Sequence, residues 1–74
     1  STLTVKGGGA TTTDGGTQVS KQVEAGQMTS YHTFGFTYPG YWCSGYHNVV
    51  GNVAGSTYEV SVPERDCTLE LEWV

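Results

Sequence analysis

Positive charge is scarce in this 74-residue chain: three lysines and arginines stand against seven acids, a formal net charge of −4. Nucleic acid and anionic membrane are held chiefly by Lys and Arg, so neither is expected as a partner. Long apolar runs are missing too, and nothing approaches the ~20 residues with which a helix spans a bilayer. No stretch of useful length carries the spacing of an amphipathic helix, and no segment repeats. The sequence starts at Ser1 without a methionine or a signal-peptide pattern, which reads as a processed, secreted product.

Cysteine is equally sparse. Cys43 and Cys67 are too far apart for a CxxC redox motif and too few for a thiolate metal site. A chain this short gains only a few kcal/mol from apolar burial, so a covalent staple is expected. Cys43–Cys67 is the one intramolecular bridge available, worth about 3.5 kcal/mol in the chain-entropy model. Two free thiols or an intermolecular link are the alternatives.

The sequence also lacks the constellations of catalysis. There is no nucleophile-elbow motif to set Ser30 or Ser44 beside His32 or His47. Glu70 and Glu72, with Glu59 expected opposite them, read as a solvated acidic face rather than a paired-carboxylate site. His32 and His47 without a thiolate or nearby carboxylate make a poor metal site. The run Gly7-Gly8-Gly9 is not followed by the Lys and Ser/Thr of a phosphate-cradling loop and is expected to be flexible. No catalytic residue, metal or cofactor is assigned, and an enzyme is the least expected class.

What the chain does carry is β pattern and turns. Leu3 and Val5 alternate with Thr2, Thr4 and Lys6 in a first half-buried strand. Asp14-Gly15 predicts a hairpin turn between Thr11–Thr13 and a strand over Thr17–Glu24, where Lys21 between Val19 and Val23 marks a sheet edge. Alternation from Gln27 to Tyr38 predicts a further strand with Phe34 and Phe36 in the core. Pro39-Gly40 fits the centre of a type II turn. In the next strand, Tyr41 to Val50, a buried Cys43 would turn Tyr41 and Val49 inward and Trp42 and Tyr46 outward, unless Gly45 is a bulge that reverses the order. Thr57–Val62 and Cys67–Val74 alternate cleanly and are expected to pair as a hairpin, with Cys67, Leu69, Leu71 and Trp73 inward. One domain over residues 1–74 follows: all-β, a small antiparallel β-sandwich or barrel of about six strands with one disulfide, Cys43–Cys67.

The segment 31–47 concentrates four of five tyrosines, both phenylalanines, one tryptophan and both histidines. Tyr31, Tyr41, Trp42, Tyr46 and Tyr58 cannot all fit in so small a core beside Phe34, Phe36 and Trp73. Exposed aromatics with a polar handle give much contact area at low ordering cost. Tyr38, Tyr41, Trp42, Tyr46 and His47 are therefore the expected binding residues. The first expectation is a secreted recognition protein that contacts a partner protein and blocks an enzyme. The second is a carbohydrate-binding module with Trp42 and Tyr46 as stacking platform. The third is a secreted toxin or antimicrobial protein. In size, β pattern and aromatic-rich turn the chain is loosely similar to the small bacterial α-amylase inhibitors. Those carry two disulfides and a Trp-Arg-Tyr triplet where this chain has one possible bridge and Tyr41-Trp42-Cys43, and no family is assigned.

Overall fold

A computed structural model describes residues 1–30, 33–56 and 58–74. Among them the chain forms seven strands and no α-helix: β1 (Thr2–Lys6), β2 (Gln18–Gln22), β3 (Met28–Ser30), β4 (Cys43–Val50), β5 (Ala54–Gly55), β6 (Glu59–Ser61) and β7 (Cys67–Trp73). Two sheets result, ordered β2-β1-β7-β4 and β3-β6-β5. One cluster of buried residues draws on both sheets, with Leu3, Val5, Leu69 and Leu71 from the first and Val60 from the second. The chain is thus all-β as expected, but neither sheet closes on itself. The expectations for Tyr31, His32 and Thr57 fall outside the described residues.

β1 and β7 are placed by their alternation. Leu3 and Val5, then Cys67, Leu69 and Leu71, are buried, while Thr2, Thr4, Lys6, Thr68, Glu70 and Glu72 stand on the other face. The two strands run parallel, with Leu3 opposite Cys67 and Val5 opposite Leu69. A purely antiparallel sheet is therefore corrected. Parallel neighbours need a crossover of a dozen or more residues, and here everything between β1 and β7 serves as one. β6 does not pair with β7 as a hairpin either: it lies between β3 and β5 in the second sheet, so Glu59 does not face Glu70 and Glu72. The turn at Pro63–Asp66 carries the chain from one sheet to the other.

The expected disulfide is absent; both cysteines are free, Cys67 buried and Cys43 partly so. The antiparallel pairing of β4 and β7 sets Cys43 opposite Trp73, at the far end of β7 from Cys67. That separation is roughly 20 Å at about 3.3 Å per residue, while a disulfide tolerates Cα atoms no more than about 7 Å apart. Cys67 Sγ lies instead 3.6 Å from the Arg65 carbonyl, and Cys43 Sγ 3.3 Å from the Gly45 carbonyl.

β2 lies at a sheet edge, as Lys21 indicated, and Lys21 sits opposite Leu3 with its ammonium 5.8 Å from the Phe34 ring. The Asp14-Gly15 turn closes with Thr12 N–H donating to the Gly16 carbonyl at 2.9 Å, and Gly15 takes a φ of 85°. Its arms do not pair with each other, however: Thr11 bridges Thr37, and β2 pairs with β1. The Thr12 hydroxyl, then the Gly16 backbone, hold the Asp14 carboxyl below the usual carboxylate range.

The long strand expected over Gln27–Tyr38 is cut short. β3 ends at Ser30, and Thr33–Gly35 form a tight turn with φ of 51°, 48° and 80°. L-residues seldom adopt this left-handed conformation, so alternation alone could not show it. Phe36 is buried as expected, whereas Phe34 is only half-buried beside Lys21.

The three glycines are packed rather than free. A Cβ on Gly7 would lie 2.4 Å from the Ala10 carbonyl oxygen and 2.8 Å from the Phe36 ring. One on Gly8 would lie 2.0 Å from the Leu71 carbonyl oxygen. Trp73 Nε1–H donates to the Gly7 carbonyl at 2.6 Å, pinning the loop to the end of β7.

Two measurements check this fold. Thiol titration of unfolded protein without reductant should find two free thiols, and in the native state Cys43 should react well before Cys67; a single bridged species would overturn the strand order. Gly8→Ala should lower the unfolding free energy by about 3 kcal/mol in urea melts, and Gly26→Ala, whose added Cβ meets nothing within 4 Å, by only about 1 kcal/mol.

Candidate functional site

The sequence-predicted residues converge on β4 and the turn before it. Tyr41 N–H donates to the Tyr38 carbonyl at 2.9 Å and Gly40 takes a φ of 85°, as a type II turn requires. Tyr38 and Tyr41 stack across this turn with ring centroids 4.3 Å apart and planes at 23°. Tyr38 also meets Trp73 edge-on at 5.8 Å. Trp73 is tied to Gly7, and Gly9 lets the Tyr38 ring lie close, since a Cβ there would be 3.2 Å away. The turn is thereby braced from beneath by rings that are themselves held.

Past the turn, Trp42 exchanges both backbone hydrogen bonds with Val74 at 3.0 Å, which carries the β4–β7 pairing beyond Trp73. Register then slips by one residue: Cys43 faces Trp73 and Gly45 faces Glu72. Ser44 is the extra residue, and Gly45, with a φ of 157°, absorbs the distortion. A second irregularity falls between Asn48 and Val50.

The first bulge corrects the expected directions in β4. Tyr46 comes opposite Leu71 on the core side and is half-buried, its hydroxyl donating to the Val53 carbonyl at 3.2 Å. Burial pushes its phenol above the ordinary tyrosine value. Tyr41 and Val49, expected inward, are exposed, Tyr41 by 53%. Trp42 is outward as expected and exposed by 68%.

His47 is opposite Glu70 on the outer face. Its Nε2 lies 3.2 Å from Glu70 Oε1 and its Nδ1 2.9 Å from Glu72 Oε2. The imidazole thus lies between two carboxylates, one at each ring nitrogen. The three side chains are about half exposed, so the clasp adds at most about 1 kcal/mol to stability. Its effect is to line up Glu70, His47 and Glu72 on the sheet surface. Among the described residues no group of three His, Cys, Asp or Glu side chains is arranged to hold a metal ion.

Of the five predicted binding residues, the structure brings Tyr38, Tyr41 and Trp42 together at the turn. It sets His47 on the same face as Trp42 and removes Tyr46 to the interior. Sequence reasoning missed Glu70 and Glu72 as neighbours of His47, and it missed Val49, Val50 and Val74 as exposed apolar residues. Compared with known families, curated proteins and solved structures, the chain matches none.

The half-buried phenol gives a pH prediction. A folded-state value raised by burial leaves stability intact below the unfolded tyrosine's value, about 10, and removes it as pH climbs through the folded one. Urea melts across the alkaline range should show a steeper loss for the native chain than for Tyr46→Phe. At neutral pH the same substitution should lower stability by about 1 kcal/mol through the lost hydrogen bond.

Proposed function

We propose that the chain is a recognition module that binds a partner protein along β4 and the Pro39-Gly40 turn. The observation that carries it is where the large exposed apolar side chains stand. Tyr41, Trp42, Val49 and Val50 lie on or beside β4, and Val74 pairs with Trp42; Met28 and Tyr58 are the others among the described residues. β4 is also the last strand of its sheet, so among the described residues its outer edge has no neighbouring strand. Exposed edges are ordinarily guarded by lysine, proline or inward charge. β2 carries Lys21 at the opposite edge, while β4 has two bulges but neither lysine nor proline, and it gathers apolar side chains. Exposed apolar side chains gathered at both ends of one strand suit an interaction site.

The braced turn suits this role. Tyr38, Tyr41 and Trp73 are already ordered by one another, so little conformational freedom is lost on docking. An exposed turn flanked by Tyr41 and Trp42 fits insertion into a partner's cleft, which makes inhibition of a secreted enzyme the sharper form of the proposal. The two-sheet body, read as a small β-sandwich, acts as the scaffold. The carbohydrate reading loses its second stacking ring, because Tyr46 points inward.

The test compares the native chain with Trp42→Ala, Val50→Lys and a Tyr58→Ala control, in pull-downs from extracellular fluid and in inhibition assays on secreted hydrolases. Binding or inhibition lost in the first two variants and kept in the third supports the proposal. Equal behaviour of all four overturns it, and a tryptophan-fluorescence response to soluble sugars alone would replace it with the carbohydrate reading.

A further inference from the structure

We infer that the outer face of β4 holds a slot for an arginine side chain of the partner, above Gly45 between Trp42 and Glu72. The inference rests on the recognition reading and names the chemistry that the partner must present there.

The slot follows from register. On the outer face Trp42 pairs with Val74, Gly45 with Glu72 and His47 with Glu70. Along β4 that face therefore presents a ring, then no side chain, then an imidazole, with carboxylates alongside on β7. A Cβ placed on Gly45 meets no atom within 4 Å, so the space over it is open. Ser44, the bulge residue, leaves it open too, because its hydroxyl is turned to the Glu72 carbonyl at 3.2 Å.

The walls select the occupant. Trp42 offers an exposed indole face, which attracts a cation through the ring quadrupole. Glu72 is held in place by His47, and a carboxylate accepts at several lone pairs, so it can take further donors. Glu70 has Lys6 in register on β1 as well as His47, so Glu72, away from Lys6, is the carboxylate left to take a further cation. A guanidinium meets both walls at once, stacking flat on the indole while its N–H fork donates to Glu72. An ammonium satisfies only the charge.

Among the described residues no lysine or arginine of the chain occupies the place. Lys21 sits over Phe34, Lys6 is in register with Gln18 and Glu70 on the far side of β7, and Arg65 precedes the opposite end of β7. With a net charge of −4, the chain leaves the complementary charge to its partner.

The experiment follows backbone and indole N–H resonances of the full chain during titration with a short end-blocked Thr-Arg-Val peptide. Its lysine and citrulline counterparts and free arginine amide serve as comparisons. The arginine peptide should shift the Gly45 amide and Trp42 indole signals saturably, with citrulline at least about tenfold weaker and lysine between them. Trp42→Ala and Glu72→Gln should each weaken the arginine peptide about tenfold. Glu72→Gln changes only an exposed side chain, so it keeps the test valid if Trp42→Ala disturbs the fold. Equal binding of arginine and citrulline peptides, or shifts centred away from Gly45 and Trp42, would overturn the slot. Free arginine amide binding as tightly as the peptide would overturn its role in docking. Loss of partner capture in Trp42→Ala without any arginine preference would end this inference and leave the recognition reading standing.

Discussion

The parallel pairing of β1 with β7 is the constraint on which the rest of the structure depends. Leu3 and Val5 lie opposite Cys67 and Leu69, and all four are almost wholly removed from water. These four form the centre of a buried cluster to which Phe36, Val53, Val60, Val62 and Leu71 also contribute. Because the two strands come from opposite ends of the sequence, their pairing encloses every intervening residue as a single crossover. β2 and β4 then add to the two flanks, and the residues between β2 and β4, and between β4 and β7, supply the second sheet. The same arrangement separates the cysteines: Cys67 enters β7 beside β1, while Cys43 meets β7 where it leaves the core. Stability is drawn from sheet pairing and close backbone packing at Gly7 and Gly8, and no covalent link is involved.

What was legible in the sequence was whatever depends on near neighbours. Alternation placed β1 and β7 with the correct faces, Lys21 marked an edge strand, and Pro39-Gly40 specified its turn. What escaped depends on partners distant in sequence. No local signal could tell that β7 joins β1 in parallel rather than β6 in a hairpin, because both arrangements bury the same alternate residues. Gly7-Gly8-Gly9 looks the same whether the chain is loose or pressed against the Leu71 carbonyl. The left-handed turn at Thr33–Gly35 has non-glycine residues at two of its three positions, where propensity argues against that conformation. The binding residues were half legible: composition showed too many rings for the interior, but only the bulge decides which ones stay outside.

That bulge ties the fold to the candidate site. One extra residue at Ser44 reverses the side chains of β4 from Gly45 to Asn48, until the second irregularity before Val50. Tyr46 is thereby turned under the sheet, where its hydroxyl, together with the Asn48 side chain, holds the backbone of Val53 at the start of the second sheet. In the same step a glycine takes the outer position beside Trp42. A strand without the bulge would set Tyr46 on the outer face and leave Val53 without its hydroxyl. The feature that completes the interior and the feature that opens the surface over Gly45 are thus one displacement of register. Any substitution that restores regular pairing there should alter packing and recognition together, which is why side chains beyond the bulge, such as Glu72 and Val50, separate the two effects more cleanly than Gly45 itself.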